Sequence, residues 1–312
     1  MKINKPSFWD FKKPNILAKI LLPFTIPIII NNLLPKKKIY KKNIKTVCVG
    51  NIYLGGTGKT PVSIKVYKIL QKLDYKVAFI KKNYANQKDE QNLLKKNGLL
   101  INKNSRLDSL NEAIAKKINY AIFDDGLQDK NINYDITIVC FNSKKWVGNG
   151  QLIPSGPLRE KIDSLKKYDA VFLNGSNNNN LHIKSLINKK FPNIIIFEAI
   201  YVPTNLKKID ITKKYLIFSG IGNPDSFKIT LQNNKINVLK NLEYPDHYNY
   251  SNQDINQIKK LAKKINAKIL TTEKDYMRLN KNNSKNIQFL KIELKIKNEK
   301  KFINFLRSKI CN

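Results

Sequence analysis

The sequence predicts an α/β protein with a parallel sheet domain, a second, smaller α/β domain and an apolar segment at the N-terminus. Beyond residue 43, short β-branched or aromatic runs alternate with helical patterns, as they do in βαβ units. A stretch containing Pro and Lys, around Tyr201 to Lys214, divides these runs into two sets. We therefore expect three units: residues 1–43, 44–205 and 206–312.

The apolar run from Ile16 to Leu34 is predicted to lie on a membrane surface. Pro23 and Pro27 interrupt it, whereas a transmembrane helix needs about 20 predominantly apolar residues. No small-residue cleavage site follows it, which argues against a cleaved signal peptide. The flanking lysines, which suit anionic headgroups, are Lys12, Lys13, Lys19 and the cluster Lys36 to Lys38. A helix packed on the protein's own core is the alternative, because periodicity does not separate the two.

The net charge of +35, from 58 Lys and Arg against 23 Asp and Glu, would attract nucleic acid, an anionic bilayer or a phosphorylated substrate. Lys, Asn and Ile are enriched along the whole chain, and no Arg-rich nucleic-acid module stands out. We therefore expect no nucleic-acid partner. The cysteines lack CxxC spacing, so neither a disulfide framework nor a zinc site is predicted, and a cytoplasmic compartment is favoured.

Periodicity predicts the elements of both α/β sets. Strands of the first set are expected at Thr46–Gly50, Lys76–Ile80, Tyr120–Asp124, Asp135–Phe141 and Ala170–Leu173, with helices at Pro61–Leu73 and Ser105–Lys117. Strands of the second set are expected at Tyr215–Phe218, Lys268–Thr272 and Gln288–Ile292, with a helix at Asp254–Ile265. Such patterns form parallel sheets covered on both faces, which bind ligands beyond the carboxyl ends of their strands.

A phosphate-binding loop follows the first strand. It reads Leu54-Gly55-Gly56-Thr57-Gly58-Lys59-Thr60 and leads into a helical pattern. Glycines let backbone N–H groups surround phosphate oxygens, Lys59 offers a cation to the β- and γ-phosphates, and Thr60 offers a hydroxyl to Mg²⁺. We therefore predict a P-loop NTPase-like domain that binds ATP and Mg²⁺. One departure is Tyr53, which occupies the slot of the first Gly in the usual motif.

Two adjacent carboxylates, Asp124 and Asp125, end the apolar strand that begins at Tyr120. In P-loop enzymes such an Asp binds Mg²⁺ directly or through water and offsets charge on the transferring phosphoryl group. Adjacent side chains point to different sides, so we expect Asp124 to serve the metal and Asp125 to orient Lys59 or a water. An ordinary Asp-Gly turn after a strand is the alternative.

Five further motifs extend the pattern over nearly the whole chain: 148–150, 154–160, 219–224, 244–247 and 271–275. With the glycine loop and the run from Asp124 to Gln128, they make the sequence resemble the tetraacyldisaccharide 4'-kinase family of lipid A biosynthesis. The resemblance implies transfer of the γ-phosphate of ATP to the 4'-hydroxyl of a tetraacylated glucosamine disaccharide 1-phosphate. It also implies a peripheral or monotopic enzyme at the cytoplasmic face of the bacterial inner membrane, and no obligate protein partner is evident.

The resemblance implies roles for single residues as well. Asp89 and His247 match the pair thought to activate the sugar hydroxyl, and a carboxylate that positions an imidazole can help it accept that proton. The predicted catalytic residues are Asp89, His247, Lys59, Asp125, Arg106 and Arg159, and the predicted nucleotide-binding residues are Gly55, Gly56, Thr57, Gly58, Lys59 and Thr60. Predicted metal ligands are Thr60, Asp124 and Glu160, and predicted substrate residues are Glu90, Gln128 and Asn149.

Two segments depart from the family pattern. Lys81-Lys82-Asn83-Tyr84-Ala85 stands where the family usually has Ser-Arg-Gly-Tyr-Gly, and Lys88 and Gln91 replace the usual Gly and Pro around Asp89. At Lys82 a point charge replaces a planar, bidentate guanidinium. We therefore expect the departures to affect the acceptor side more than nucleotide binding.

Two other functions are alternatives. A P-loop NTPase of the metallochaperone or switch type would hydrolyse nucleotide without a glycolipid acceptor. A nucleic-acid binder driven by charge would show a steep salt dependence of binding. The second alternative gives the glycine loop no role.

Overall fold

Two β-sheets, each covered by helices, form the computed structural model, which describes residues 5–34, 43–83, 88–175 and 180–310. The lysine cluster Lys36 to Lys38 and the departures at Tyr84 and Ala85 lie outside the described residues. The strands are β1 (Lys45–Gly50), β2 (Val77–Ile80), β3 (Leu100–Ile101), β4 (Tyr120–Asp124), β5 (Ile136–Asn142), β6 (Ala170–Asn174), β7 (Ile195–Pro203), β8 (Lys214–Ser219), β9 (Asn237–Glu243), β10 (Lys268–Thr272), β11 (Ile287–Leu290) and β12 (Ile292–Ile296). The helices are α1 (Ile16–Ile20), α2 (Ile26–Leu33), α3 (Lys59–Gln71), α4 (Lys88–Asn97), α5 (Arg106–Ala115), α6 (Leu181–Lys190), α7 (Pro224–Asn233), α8 (Asn252–Lys264), α9 (Glu273–Tyr276) and α10 (Glu299–Ile310).

The larger sheet has eight strands in the spatial order β12-β7-β6-β5-β1-β4-β2-β3. Neighbouring strands run parallel, except that β12 pairs antiparallel with β7. From β1 the chain first builds β2, β3 and β4 on one side and then crosses to β5, β6 and β7 on the other. Open α/β sheets bind ligands at such a reversal, outside the carboxyl ends of the strands. The glycine loop leaves β1 at this point.

Side chains of the larger sheet alternate between two hydrophobic cores, one on each face. On β4, Ile122 packs into one core and its neighbour Phe123 into the other, as the two-residue period of a strand requires. Helix α3 covers the face of the sheet that carries Ile122, because Val62, Val66 and Leu70 recur at helical spacing and are fully buried in the same core. The sheet is therefore buried on both faces, and its edge at the end of β1 is left for ligands.

The smaller sheet has four parallel strands in the order β11-β10-β8-β9, with a hydrophobic core on each face. Helix α7 contributes Phe227 to one core, and α8 contributes Ile255 to the other. Helix α8 begins at a capping box in which Ser251 and Asp254 satisfy each other's backbone N–H groups. The predicted fold class, a P-loop-type parallel sheet domain with a second, smaller α/β domain, is confirmed.

Most predicted strands are confirmed to within one residue at either end, and the predicted helices to within two. The single strand predicted at Gln288–Ile292 is wrong, because β11 ends at Leu290 in the smaller sheet and β12 begins at Ile292 in the larger one. The chain thus returns to the larger sheet, where Phe302 of α10 lies in the core. The predicted C-terminal unit of residues 206–312 differs from this topology, because apolar alternation indicates burial without indicating against which sheet.

The N-terminal segment folds into two short helices against the larger domain. Pro23 and Pro27 lie at the starts of a 3₁₀ turn and of α2, where proline costs no helical hydrogen bond. Trp9 is buried and its indole Nε1 donates a hydrogen bond to the Pro154 carbonyl oxygen at 2.9 Å. None of the helices in the described chain is long and apolar enough to span a bilayer. Large apolar side chains that stay exposed here are Phe11, Ile16, Leu17, Ile20, Leu22, Phe24, Ile26, Ile30, Leu33 and Leu34.

Candidate active site

The glycine loop connects β1 to the N-terminus of α3. Gly55 and Gly58 have φ angles of 127° and 81°, in the left-handed region that favours glycine. A Cβ atom at Gly58 would lie 2.1 Å from the Tyr201 hydroxyl, so the close approach also requires glycine. Asn174 fixes the loop by donating from Nδ2 to the Thr57 carbonyl oxygen at 2.8 Å. The loop therefore places its N–H groups at the positive end of a helix, the arrangement that binds phosphate.

Tyr53, which replaces the first glycine of the usual motif, supports the base of the loop. Its buried hydroxyl donates to Asp10 at 2.6 Å, and its backbone forms a β-bridge with Leu158. A Cβ atom at Gly55 would lie 3.7 Å from the Tyr53 ring, which is ordinary van der Waals contact. Tyr53 therefore supports the loop through its hydroxyl and backbone contacts.

Asp124 and Asp125 follow the hydrophobic part of β4 and face different partners. Asp124 is fully buried, and its Oδ2 accepts a hydrogen bond from the Thr60 hydroxyl at 3.1 Å. Asp125 has a φ of 65°, and its carboxylate lies 3.5 Å from Lys59 Nζ and 3.0 Å from Arg159. Burial opposes ionisation of Asp125, but Lys59 and Arg159 outweigh burial and lower its pKa to about 2. Asp124 therefore contacts the hydroxyl of Thr60, and Asp125 contacts the ammonium group of Lys59.

The oxygen atoms beside the loop fit a Mg²⁺ ion shared with a nucleotide. Thr60 Oγ1 and Asp124 Oδ2 lie 3.1 Å apart, and Ser63 donates to the other Asp124 oxygen at 2.9 Å. Within the described residues, no group of three or more His, Cys, Asp or Glu side chains is arranged to hold a metal. Mg²⁺ is usually held by one or two carboxylates together with substrate phosphates and waters. These residues therefore suit nucleotide-bound Mg²⁺ rather than an all-protein cage.

A cavity of about 280 Å³ opens beside these carboxylates, lined by Lys81, Arg106, Asp124, Asp125, Gln128, Asp129 and Arg159. Arg159 donates to Gln128 Oε1 at 3.2 Å, and Gln128 Nε2 donates to Glu160 Oε1 at 2.8 Å. Glu160 also accepts a hydrogen bond from the Tyr168 hydroxyl at 2.9 Å. The structure thus places Glu160, a predicted metal ligand, behind Gln128 and in contact with it.

Arg106 begins α5 and reaches the same cavity. Its Nη1 lies 3.3 Å from Asp129 Oδ2, and its Nη2 donates a hydrogen bond to the Asp125 carbonyl oxygen. With Arg159 on the carboxylate of Asp125, two guanidinium groups approach one residue of the site. Guanidinium groups form strong, directional hydrogen bonds to phosphate oxygens, so this arrangement suits a charged phosphoryl group.

Asp89 and His247, 158 residues apart in the sequence, meet at the site, where His247 Nδ1 lies 3.1 Å from Asp89 Oδ1. Asp89 is in the first turn of α4 and only 5% exposed. His247 has a φ of 59°, and its backbone N–H donates to the Gly220 carbonyl oxygen at 3.1 Å. Burial would raise the pKa of Asp89, but His247, Lys274 and Arg278 hold it well below its usual range. Asp89 is therefore a buried, ionised carboxylate that can orient the imidazole.

Three residues in α9 and just after it hold this pair in place: Lys274, Asp275 and Arg278. Their role was not predicted from the sequence. Arg278 donates from Nη2 to Asp89 Oδ2 and from Nη1 to the buried Asp275, both at 2.7 Å. Lys274 Nζ lies 3.4 Å from Asp89 and 3.2 Å from Glu90. Asp275 and Arg278 are spaced i, i+3, and their side chains form an ion pair at the end of α9. That spacing was a usable signal, but their partner Asp89 lies 189 residues before Arg278.

The loop at Ser219–Asn223 of the smaller sheet packs directly on the glycine loop. A Cβ atom at Gly222 would lie 2.5 Å from the backbone nitrogen of Gly56, and one at Gly56 would lie 3.0 Å from the Gly222 carbonyl carbon. Both positions require glycine because backbone meets backbone. The nucleotide side and the acceptor side of the site therefore face each other across this contact.

Asn149, a predicted substrate residue, has a different environment. It is 4% exposed, its Nδ2 donates to the Ser155 carbonyl oxygen at 3.0 Å, and its backbone N–H donates to the Trp9 carbonyl oxygen at 3.0 Å. A Cβ atom at Gly156 would lie 2.1 Å from Asn149 Oδ1. These contacts join Asn149 to the backbone of its own loop and of the N-terminal segment, and its contact with substrate stays a prediction.

A glycine loop at a helix N-terminus, with a lysine, a hydroxyl and a strand-end carboxylate, defines a P-loop nucleotide-binding protein. The Asp89–His247 pair adds a group that can take a proton from an alcohol, which a switch does not need and an alcohol phosphotransferase does. The fold and site therefore define a P-loop phosphotransferase. Residues 20–311 match the family model for tetraacyldisaccharide-1-P 4'-kinase, and the chain belongs to this family.

Individual relatives agree with the family match. The chain is 50% identical to the tetraacyldisaccharide 4'-kinase of Pelagibacter ubique over 307 residues, which is 98% of each chain. It is 35% identical to that of Rickettsia typhi over 319 residues, 96% of each chain. The solved structure of LpxK from Aquifex aeolicus in complex with ATP has a TM-score of 0.68 and 22% identity, covers 95% of this chain and 100% of its own, and shows the same fold. The protein is thus a kinase of lipid A biosynthesis that acts on a hydroxyl group, and the metallochaperone or switch alternative is not supported.

Proposed function

We propose that this kinase transfers the γ-phosphate of Mg-ATP to the 4'-hydroxyl of a tetraacylated glucosamine disaccharide 1-phosphate, at the cytoplasmic face of the inner membrane. The observation that carries the proposal is the Asp89–His247 pair, which is connected through Glu90 and Lys81 to Asp124 beside the phosphate-binding loop. The identity of 50% with a relative named tetraacyldisaccharide 4'-kinase supports the choice of acceptor.

On the nucleotide side, residues 55–60 hold the phosphates and Lys59 neutralises the β- and γ-oxygens. Thr60 and Asp124 would hold Mg²⁺, which would offset charge on the transferring phosphoryl group. Asp125, 3.5 Å from Lys59, orients that ammonium, and Arg159 supplies a second cation at 3.0 Å from Asp125. Glu160 acts here by orienting Gln128, which it contacts at 2.8 Å.

On the acceptor side, His247 is the proton acceptor and Asp89 sets its tautomer. A hydrogen bond to the ionised Asp89 favours a proton on His247 Nδ1, so the lone pair lies on Nε2. Nε2 takes the proton of the sugar hydroxyl as the oxygen attacks the γ-phosphorus. The bond from that phosphorus to the β,γ-bridging oxygen breaks, ADP leaves with the electron pair, and Asp89 stabilises the imidazolium that forms. Arg278 and Lys274 keep Asp89 ionised through this step.

The N-terminal segment suits contact with the membrane that carries the acceptor. Exposed apolar side chains include Ile16, Ile20 and Phe24, which are 75%, 62% and 65% exposed. Apolar side chains in the acyl boundary, with lysines near anionic headgroups, make an interfacial element. The acceptor's acyl chains would lie in the same layer, so the sugar would be presented close to the site.

The proposal is tested by transfer of ³²P from γ-labelled ATP to purified tetraacyldisaccharide 1-phosphate in mixed micelles with MgCl₂. We expect labelled lipid from the wild type and none above background from Lys59→Ala, because β/γ charge is left uncompensated. Lys68→Ala, which removes a lysine paired with Glu293 at 3.0 Å away from the loop, is the matched control. Label released only as inorganic phosphate, with or without the acceptor, would contradict the proposal.

A further inference from the structure

Lys81 is a buried ammonium group to which the mechanism above gives no step. Its side chain is 2% exposed, and Nζ lies 2.8 Å from Asp124 Oδ2 and 2.6 Å from Glu90 Oε2. Ion pairs with two carboxylates favour the charged form of a buried amine. An ammonium group therefore lies between these two carboxylates.

Each partner of Lys81 belongs to a different half of the site. Asp124 Oδ2 also accepts the hydrogen bond from Thr60 at 3.1 Å, on the nucleotide side. Glu90 follows Asp89 in α4, and its Oε1 lies 3.2 Å from Lys274 and 3.7 Å from His247 Nε2, on the acceptor side. One ammonium group thus ties α4 to the carboxylate beside the glycine loop.

The position of this ammonium affects any divalent cation that Asp124 binds. The oxygen nearest to Thr60, Asp124 Oδ2, is the one that already contacts Lys81. A metal ion on this oxygen comes close to a second positive charge in a buried region, where Coulomb interactions are poorly screened. Lys81 therefore orients the carboxylate of Asp124 and at the same time opposes the binding of a cation to it.

We propose that Lys81 is a positioning residue that raises the Mg²⁺ requirement of this kinase and aligns α4 with the phosphate-binding loop. The proposal rests on the proposed Mg²⁺ site at Thr60 and Asp124. The two parts of the proposal predict opposite effects when Lys81 is replaced: Mg²⁺ binding becomes stronger and phosphoryl transfer becomes slower. Removing the charge strengthens Mg²⁺ binding at Asp124, whereas releasing Glu90 misaligns α4 and slows phosphoryl transfer. Replacement of a residue with a purely structural role would weaken both Mg²⁺ binding and phosphoryl transfer.

The test uses the full-length protein, the fluorescent nucleotide mant-ADP and MgCl₂. The Mg²⁺ concentration that gives half of the maximal gain in mant-ADP affinity is measured for the wild type and for Lys81→Met. We expect this concentration to fall by about tenfold or more, since a nearby unit charge is removed. The kcat for phosphoryl transfer falls by about tenfold or more, because alignment of the reacting groups is lost. Lys68→Met, which removes the lysine paired with Glu293, is expected to leave both quantities unchanged.

Two further variants keep the inference testable. Removing one partner of a buried ion pair is strongly destabilising, so Lys81→Met/Glu90→Gln replaces the single variant if that variant lacks a wild-type-like melting transition. The double variant leaves Asp124 without its ammonium, and the same fall in Mg²⁺ requirement is expected. Lys81→Arg keeps the charge and is expected to keep the wild-type Mg²⁺ requirement.

Each outcome decides a different question. An unchanged or higher Mg²⁺ requirement in Lys81→Met, or in the double variant that replaces it, overturns the role of Lys81. An equal fall in Lys81→Arg and Lys81→Met also overturns it, because charge would then not be the cause. Mg²⁺-independent binding of mant-ADP by the wild type contradicts the proposed metal site instead, so the two failures are distinguishable.

Discussion

At the scale of single residues, the charge of the site depends on partners that other elements supply. Asp89 lies on α4, yet Arg278 and His247 reach it from the part of the chain that contains the smaller sheet. Burial alone would favour the protonated acid, so these cationic and hydrogen-bonding groups maintain the carboxylate. The proposed activation of the sugar hydroxyl therefore depends on the assembled pair.

The first residue-scale prediction is that Asp89 and His247 act as one unit. General-base help is worth about 10² to 10⁴-fold, so Asp89→Ala and His247→Ala should each lower kcat by roughly that factor. The double variant should lose little more than either single variant, because one substitution already disables the pair. Steady-state kinetics and mant-ADP binding measure these effects, and nucleotide affinity is expected to stay near the wild-type value.

The matched control is His182→Ala, which removes the protein's other histidine, on α6. It is expected to keep wild-type kcat. A double-variant loss equal to the product of the single losses would show that Asp89 and His247 act independently.

The second residue-scale prediction concerns acid stability. A carboxyl whose folded pKa is depressed contributes stability above its unfolded pKa and loses it as pH falls through the folded pKa. For Asp125, with a folded pKa of about 2, this window lies between about pH 4 and about pH 2. The wild type should therefore lose roughly 2 kcal/mol more unfolding free energy across this window than Asp125→Asn.

Urea unfolding at several pH values between 2 and 6, followed by circular dichroism, measures the difference. Asp163→Asn is the control, because Asp163 is exposed and its ion pair with Lys190 lies at the surface. The unfolding free energies of Asp163→Asn and of the wild type should change with pH in nearly the same way. If the unfolding free energies of the wild type and Asp125→Asn change equally with pH, the carboxylate of Asp125 is not stabilised by its charged partners.

At the scale of elements, the N-terminal segment is attached to the domain and leaves an apolar surface exposed. Asn32 at the end of α2 donates a hydrogen bond to the Arg159 carbonyl oxygen at 2.9 Å, and Ile28 and Ile29 pack against Tyr53 and its neighbours. The exposed side chains therefore belong to an anchored element rather than to a loose tail. The packing agrees with the alternative of helices packed on the protein's own core, and contact of the exposed side chains with a membrane surface stays a prediction.

The element-scale prediction is that this apolar surface binds lipid. Ile16→Ser/Ile20→Ser/Phe24→Ser should lower sedimentation with anionic phosphatidylglycerol vesicles by several-fold, since buried apolar area drives interfacial binding. The melting temperature should change little because all three side chains are more than half exposed. Leu239→Ser, on β9 of the smaller sheet and 44% exposed, is the control. Equal sedimentation of the triple variant and the wild type would refute membrane contact through this surface.

At the scale of the whole molecule, the C-terminus returns to the larger sheet after completing the smaller one. Strand β12 pairs with β7, and Phe302 of α10 packs edge-on against Phe172 and Phe197, with ring centroids 5.0 Å and 4.9 Å away. The smaller sheet is thus connected to the larger domain on both sides. Two chain connections therefore join the part of the protein that carries His247 to the domain that carries Asp89.

The prediction at this scale is that Phe302→Ala destabilises the larger domain. The side chain is fully buried, and such truncations cost roughly 3–5 kcal/mol of unfolding free energy. Urea unfolding followed by circular dichroism, with mant-ADP as a second probe, should show both signals shifted to lower urea. Phe11→Ala, at a phenylalanine that is 49% exposed, is the control and should unfold like the wild type. A shift in neither signal would mean that α10 does not stabilise the nucleotide-binding domain.

Much of the nucleotide side follows from local sequence. The glycine loop, the strand before it and the carboxylates after β4 are encoded by contiguous residues whose backbone needs and periodicity are local. Glycine adopts backbone conformations that other residues avoid, so the sequence alone indicates a role for Gly58, and its left-handed φ of 81° agrees with that role. The resemblance to a family then extended this local information to Asp89 and His247.

The sequence by itself therefore determined the phosphate-binding loop, the parallel α/β class and the kinase family. Only the tertiary structure decided that β12 joins the larger sheet, that Arg278 holds Asp89 and that Lys81 lies between Asp124 and Glu90. The physical reason is that apolar spacing specifies which side chains are buried, but not which partner covers them. Ion pairs between residues as far apart as Asp89 and Arg278 exist only because packing of the two sheets brings them within 2.7 Å.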